Sequence, residues 1–419
     1  MFCLTKPRFI PVTDLQLLLE RRKGKIPILN MEFNETPWGI LSGIRPSKIA
    51  TKLLLSGMSE ADAVKYFTEE YGTDAKKAQL AVSVADAVLP VSQSLYPDGV
   101  SVYIGIPFCP SRCLYCSFVT CGTKQAAKLI GKYCEALKKE ISYTADIIKS
   151  NNEKIETVYI GGGTPTTLSA EELDDILIHM YSTFDLQYCK EFTVEAGRPD
   201  TITADKLNVL KKHGVTRISI NPQSMNQSTL DIIGRAHTPE QIKSAFYLAR
   251  ECGFDNINMD VIAGLPGETY DMFKHTLSEV EQLSPEDTTV HVMSIKRSSR
   301  LHEYLEKYKL SSSPEVSAMV DYAYDYLTSL GKHPYYMYRQ KNQLGNLENV
   351  AYSRPGFDSL YNIYIMEEIQ TIISLGCGGV TKTVDRATDR IERIFNVKEP
   401  KDYIERLDEM LKRKDALRK

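Results

Sequence analysis

The sequence predicts an α/β fold built on a parallel sheet, and three observations carry that reading. From residue 101 onward six short runs rich in Val, Ile, Thr and Tyr recur, at 101–108, 157–163, 191–197, 217–223, 256–267 and 288–296. Stretches with helical spacing separate them, several ending at Gly. The polar, sulfur-bearing or glycine-rich positions gather at or near the carboxyl ends of the runs. Cys109 follows the first, GGGTP ends the second, Glu195 closes the third, Gln223 closes the fourth, and Asp260 precedes GLPG in the fifth. Strands alternating with helices argue for right-handed crossovers. Six units suit either an open doubly wound sheet or a partial barrel, and in both the chemistry collects at the carboxyl ends.

The elements follow in order. Residues 1–95 read as a small, mainly helical domain, with Ser59 and Asp62 forming a capping box before an amphipathic helix. The Pro-containing stretch LPVSQSLYPDGVS (89–101) reads as the link to a core over 96–300. Within that core the helical stretches are LIGKYCEALKKEISYTADIIK, AEELDDILIHMYSTF, ADKLNVLKKHG, PEQIKSAFYLARECG and TYDMFKHTLSEVEQL. Residues 301–419 read as a third region. It has a long helix near 314–330, an irregular HPYYMYRQKNQLGN, and a charged terminal helix whose alternating acids and bases suit a solvated face.

Composition narrows the function. The chain has 419 residues, 42% hydrophobic and 25% charged, with a formal net charge of −3. That balance gives no bulk reason to expect nucleic acid as a partner. No apolar run reaches the ~20 residues of a membrane helix. MFCLTKPRFI lacks a long apolar stretch, so a cytoplasmic location is expected.

Of nine cysteines, only those from 109 to 121 cluster. In a reducing compartment such clustering favours metal binding or redox chemistry over disulfides. Cys109, Cys113 and Cys116 leave two readings open. One is a zinc loop, though no second knuckle follows and Cys121 is out of register. The other is a three-thiolate [4Fe–4S] cluster with one iron lacking a protein ligand, a site for chemistry rather than electron storage.

The C-x3-C-x2-C spacing, with Tyr115 just before the third cysteine, resembles the signature of the radical S-adenosylmethionine (radical SAM) superfamily. The fuller YIGIPFCPSRCLYCSF is similar to the oxygen-independent coproporphyrinogen III oxidases and their relatives. YIGGGTPTTL, FTVEAGRPDTIT, RISINPQSMN, IGRAHT and NMDVIAGLPGET follow in family order. The likeness is strong over roughly 100–300 and extends into LGNLENVAY and SLGCGGVTKT, with an N-terminal part resembling the HemZ-like, coproporphyrinogen dehydrogenase subgroup.

The resemblance implies a partial (β/α)6 radical SAM barrel with a helical N-terminal domain and a C-terminal α/β extension that closes the site. It implies a [4Fe–4S] cluster on Cys109, Cys113 and Cys116, with SAM on the open iron. Tyr103 matches a family tyrosine near SAM. Gly162, Gly163 and Thr164 match the motif beside the SAM amino group. Glu195, Gln223, Arg235 and Asp260 match further SAM-contacting positions, and Tyr115, Ser294 and Val380 match pocket-lining ones. The ordinary alternatives are a Glu195–Arg198 pair, a loop-capping Asp260, a helix-end cation at Arg235 and a tight turn at GGGTP.

The implied activity is oxidative decarboxylation of coproporphyrinogen III to protoporphyrinogen IX in heme biosynthesis, with a small porphyrinogen substrate and an electron donor such as flavodoxin or ferredoxin. Two positions depart from the oxidases, which carry His where this chain has Gly105 and a fourth cysteine where it has Phe118. A heme-chaperone branch shares the C-x-F ending but carries His-Asn and Tyr-Trp where this chain has YNIYIM. A third branch opens heme rings. His237 and His291 are the histidines nearest the expected cavity, and Arg297, Arg300, Arg339 and Lys341 are the expected partners for substrate carboxylates.

Overall fold

The computed structural model describes residues 36–41, 45–118, 123–340, 343–386, 388 and 390–419. Cys3, Cys121 and Lys341 lie outside the described residues.

Among the described residues three helices come first: α1 Pro46–Leu55, α2 Glu60–Tyr71 and α3 Ala75–Gln93. Ser59 caps α2 by accepting from the Asp62 amide, but the reciprocal half of the expected capping box is not formed, because the Asp62 carboxylate accepts from the Ser59 hydroxyl at 2.7 Å. The expected link at 89–101 begins later than its composition suggests, because α3 runs through Pro90 to Gln93. The six runs become β1 Gly99–Ile106, β2 Lys154–Gly162, β3 Glu191–Glu195, β4 Arg217–Ser219, β5 Ile257–Ala263 and β6 Asp287–Val292. Between them lie α4 Thr123–Ser150, α5 Ala170–Thr183, α6 Ala204–Lys212, α7 Gln227–Ile233, α8 Pro239–Glu251 and α9 Tyr270–Gln282. Capping boxes at Ser169 and Thr238 start α5 and α8.

After β6 come the one-turn α10 Arg300–Glu303, α11 Ser313–Ser329, β7 His333–Arg339, β8 Glu348–Ser353 and α12 Leu360–Glu367. Then follow β9 Thr371–Leu375, β10 Val380–Asp385, β11 Arg390–Phe395, α13 Pro400–Glu405 and α14 Leu407–Lys414. One sheet joins all the strands in the order β11-β10-β9-β1-β2-β3-β4-β5-β6-β8-β7. Strands β1 to β6 pair parallel in sequence and form the partial barrel. The parallel strand β9 extends it beside β1, and the antiparallel β8 beside β6.

The segment read as irregular, HPYYMYR, is the strand β7. Its tyrosines suit a half-buried pleat, and Pro334 is accommodated at a register shift on the last strand of the sheet order. The charged C-terminal segment forms two helices rather than one solvated one. Leu407, Met410 and Lys414 are buried, and the Lys414 ammonium reaches the Ser374 carbonyl at 2.7 Å and Glu140 at 3.3 Å. Glu140 also accepts from the Gly376 amide at 2.8 Å and from Asn396 at 2.8 Å. One buried carboxylate on α4 thus holds the turn after β9.

The N-terminal helices are fastened by a second buried carboxylate. Glu348 accepts from Trp38 Nε1 at 2.6 Å and from Lys77 Nζ at 2.7 Å, and Lys77 also meets Asp321 at 2.9 Å. Glu348 and Trp38 are fully buried. Removing one member of a buried pair strands the other charge, at about 3–5 kcal/mol. Glu348→Ala is therefore expected to lower stability by about that amount, and Glu348→Gln by less. Chemical denaturation of the three proteins checks this, and an unchanged midpoint for Glu348→Ala would refute the role.

Candidate functional site

The carboxyl ends of the strands open onto a cavity of about 280 Å³. Cys109, Cys113, Tyr115, Cys116, Gly162, Gly163, Thr164, Glu195, Gln223, Arg235 and Asp260 all line it. Eleven of the fourteen residues expected from sequence are thus brought together. Tyr103 lines an adjoining cavity of about 320 Å³, with Gly105, Phe118, Gly162, Gly163 and Cys377. Ser294 and Val380 line neither. Ser294 bridges to Gln343 in antiparallel fashion, and Val380 pairs with Phe395 at the start of β10. Arg198, Asn221 and His291 also line the first cavity.

The cysteine loop follows β1 and is pinned from several sides. The Leu114 amide donates to the Ile233 carbonyl at 2.9 Å, and its side chain packs with Leu230, Ile262, Met293 and Leu301 in a small separate core. Arg198 pairs with Asp200 at 2.9 Å and donates to the Ser111 carbonyl and hydroxyl. The Glu195–Arg198 pair is therefore absent, and Arg198 instead braces the loop. Glycine is required opposite it. A Cβ on Gly163 would lie 2.6 Å from the Phe108 carbonyl oxygen and 3.0 Å from Cys109 Sγ, and Gly162 has φ +115°. Pro165 opens a short 3₁₀ turn, and the helix itself starts at Ala170.

The polar residues divide by environment. Glu195 accepts from the Tyr159 hydroxyl at 2.7 Å and the Gly162 amide at 3.2 Å. Burial nevertheless pushes its carboxyl up to about 7, against the Tyr159 hydrogen bond and with the Asp260 charge. Burial acts on Asp260 too, but His291 at 3.6 Å and the Asn258 amide at 2.7 Å outweigh it and hold that carboxyl below its usual value. Gln223 adopts φ +66°, and its backbone exchanges hydrogen bonds with Asp260 and Ile262. A non-glycine residue held there indicates a position fixed by its surroundings.

Arg235 lies just past the Gly234 cap of α7 and is buried. It donates to the carbonyls of Gly197 and Asn221 and to the Tyr115 hydroxyl at 3.2 Å. It is not an exposed helix-end cation. His237 is 1% exposed with both ring nitrogens unpartnered. Burial, then the Arg235 charge, pushes it down to about 4, so it is a neutral core imidazole. The Tyr103 ring stacks on Tyr159 and Tyr361, whose own separation is 4.5 Å.

The donor set suits an iron–sulfur cluster with an open iron. The three cysteine side chains border one cavity, whereas among the described residues no three His, Cys, Asp or Glu converge on a single ion. Burial pushes the Cys109 thiol up to about 11 and raises Cys116, so these sulfurs ionise only with a bound cation to compensate. Asn221 Oδ1 and Arg235 Nε are buried without a hydrogen-bond partner at the same cavity. Unpaired polar atoms of this kind suit a polar ligand such as SAM.

Two outcomes are expected. Gly163→Ala forces the loop carrying Cys109 aside, an overpacking cost of roughly 1–3 kcal/mol, and iron bound after anaerobic reconstitution falls well below wild type; equal iron content would contradict this. The raised Glu195 carboxyl favours its protonated form in the folded state. Its contribution is complete below the usual Glu range and is lost as pH rises through about 7. In the protein without cofactors, Glu195→Gln should flatten the fall in thermal stability between about pH 4.5 and 7; an unaltered slope would refute the shift.

A model of the radical SAM superfamily matches residues 103–280. The oxygen-independent coproporphyrinogen-III oxidase-like protein HemZ of Bacillus subtilis is 47% identical over 374 residues, covering 88% of this chain and 75% of that protein. The heme chaperone HemW of the same organism is 31% identical over 294 residues, covering 68% and 73%. The solved structure of coproporphyrinogen III oxidase HemN from Escherichia coli matches with a TM-score of 0.60 at 24% identity, covering 78% of this chain and 73% of that one. That structure shares the fold. A radical SAM protein holds a [4Fe–4S] cluster and SAM, for which the cavity offers three thiols and a polar wall. The chain belongs to the oxygen-independent coproporphyrinogen III oxidase-like family of the radical SAM superfamily.

Proposed function

We propose that the chain catalyses oxygen-independent oxidative decarboxylation of coproporphyrinogen III to protoporphyrinogen IX. The observation that carries this is the pair of adjoining cavities sharing Gly162, Gly163 and Phe118, one bordered by the cysteines and the other open beside Tyr103. The 47% identical relative, named for its likeness to the oxidase, supports the reading.

In this reading Cys109, Cys113 and Cys116 hold the cluster. There a bound cluster and SAM would supply radical chemistry able to abstract hydrogen from a propionate β-carbon. Gly162 and Gly163 let backbone approach the ligand. Glu195 and Asp260 accept hydrogen bonds from the ligand's amino and hydroxyl groups, each at a different ease of protonation. Arg235 sets Tyr115 beside the third thiolate. Tyr103 and its stacked partners form an apolar wall that excludes water from the reacting carbon. The described residues of 36–95 and 301–419 flank the barrel core over 96–300 and restrict access to it.

Substrate carboxylates then need cations, and the structure narrows the choice. Arg339 donates to the Leu41 and Asn346 carbonyls and stacks 5.3 Å from the Trp38 ring, so it secures the N-terminal segment. Arg297 and Arg300 are exposed and line neither cavity. Lys398 lines the second cavity and is the better-placed cation.

A second reading, heme binding without decarboxylation, is favoured by Gly105 and Phe118. Gly105 lines the second cavity where the oxidases have His, and the side chain of Phe118 is 63% exposed. Anaerobic turnover separates the readings. With SAM, reductant and coproporphyrinogen III, the product is expected to have lost two CO2 units with 5′-deoxyadenosine released, both abolished in Cys113→Ala. Stoichiometric heme binding with no 5′-deoxyadenosine would replace this proposal by the second reading.

A further inference from the structure

The GLPGET motif after β5 contains a buried acid that lines neither cavity. Glu268 is 3% exposed, and its carboxyl is turned to the loop after β4. Glu268 Oε1 accepts from the Ser224 hydroxyl at 2.6 Å and from the Asn226 side-chain amide at 3.2 Å. Asn226 is the N-cap residue of α7, yet its side chain makes no cap bond. Its amide nitrogen instead donates to the Met272 carbonyl at 2.9 Å and the Thr276 hydroxyl at 3.0 Å, both on α9. Thr276 also accepts from the Met225 amide at 3.1 Å, and the Glu268 carbonyl accepts from the Ser311 hydroxyl at 2.9 Å. One carboxyl thus knots the loop after β4 to the loop after β5 and to α9.

The knot is flanked on both sides by residues of the site. Gln223, immediately before Ser224, holds φ +66° and lines the cysteine cavity. A non-glycine residue persists there only where its surroundings hold it. At the far end of α7 the Ile233 carbonyl accepts from the Leu114 amide of the cysteine loop, and Arg235 lines the cavity. The groups facing the Glu268 carboxyl are Ser224 and Asn226 from the loop after β4 and Thr229 from α7, with Thr276 of α9 behind them; none of these is charged. Glu268 Oε2 is buried without a hydrogen-bond partner among the described residues. An ionised carboxylate with one bare oxygen is costly in such surroundings. Burial accordingly pushes the carboxyl up to about 7, against the bonds it accepts from Ser224 and Asn226. We infer that Glu268, as the neutral acid, is a positioning residue that locks the loop after β4 in place and so sets Gln223 and α7 for SAM. It acts through those elements and not by touching the ligand. It rests on the reading that Gln223 meets SAM and is independent of the substrate's identity.

The test uses the full chain reconstituted anaerobically with its cluster oxidised, so that SAM binds without being cleaved. Calorimetry reads SAM affinity, and amide hydrogen exchange reads protection over residues 224–230 relative to unfolded rates. Glu268→Ala is expected to weaken SAM binding about tenfold or more, as loss of an outer support commonly does, and to lower that protection. Glu268→Gln keeps the shape and the neutrality of the acid and is expected to match wild type at about pH 6. A raised carboxyl contributes fully below the usual Glu range and loses its contribution as pH rises through about 7. Protection of 224–230 in wild type is therefore expected to fall between about pH 6 and 8.5, and in Glu268→Gln to stay level. A Glu268→Gln protein that resembles Glu268→Ala, or that keeps the wild-type fall, would overturn the inference. This comparison stands by itself if Glu268→Ala does not fold. Gln223→Ala is measured alongside. Weaker SAM binding there with none in Glu268→Ala overturns this inference alone. Unchanged binding in both overturns the reading of Gln223 as well. Failure to decarboxylate porphyrinogen alters none of these readouts.

Discussion

The site depends on parallel strand pairing at one register. Because β1 to β6 all run the same way, the cysteine loop, the glycine turn, Glu195, Gln223 and Asp260 reach one rim although some 150 residues separate the first from the last. A slip of one residue would turn a strand's inward side chains outward. Glu195 and Asp260 would leave the cavity, and Tyr103 and Tyr159 would lose their stack. The flanking helices protect that register by burying the outer face, where Val102, Ile104, Val158, Ile160, Val194 and Ile218 are each 2% exposed or less.

A polar barrel interior raises a second demand, since each buried polar group must find a partner. Most do so locally. Ser101 bonds Gln370, Thr157 bonds Ser101 at 2.7 Å, and Thr289 bonds Asn258 at 2.9 Å. Arg217 is paired with Asp287 deep in the barrel, where Tyr335 also donates to that carboxylate. Glu191 accepts from Ser359 and from the Leu360 amide, fixing α12 at the amino ends of the strands. Unpaired atoms remain both within the barrel, at Arg217 Nε and Asp287 Oδ1, and beside the cysteines, at Asn221 Oδ1 and Arg235 Nε. Only the second pair borders the cysteine cavity, where a polar ligand could satisfy it.

The barrel was legible because its runs carry two agreeing signals, β-branched composition and a helical stretch after each. The last strands were harder. HPYYMYR contains a proline, and only its place on the last strand of the sheet makes that tolerable. Strand β9, TIISL, is only five residues long and was not singled out from the sequence, yet it extends the sheet in parallel beside β1. The cavity residues supplied by motif were largely found and His291 was expected near them, whereas Arg198 and Asn221 were not assigned to the cavity. Their roles depend on which strand end stands opposite which loop. Arg198 shows the difficulty plainly: its nearest acids in sequence are Glu195 and Asp200, and only the fold decides for Asp200 and Ser111. Conversely, Ser294 and Val380 occupy motif positions whose backbones are committed to strand pairing.

The two departures from the oxidase pattern acquire a common consequence in three dimensions. Gly105 sits on β1 beside the turn after β9, and a Cβ there would lie 3.4 Å from the Cys377 carbonyl oxygen and 3.5 Å from the Tyr103 ring. That is ordinary contact, so bulk is not what excludes a side chain at its first atom. Absence of the imidazole leaves the second cavity walled by Tyr103, Cys377 and backbone, with Lys398 as its cation. Phe118 places an apolar ring where a fourth thiol would otherwise stand, between that cavity and the cysteine loop. Both changes remove a proton-exchanging group from the substrate side while leaving the cluster side whole. Under the proposed reading these two positions bear on the step after hydrogen abstraction, in how the substrate's proton and electron are received.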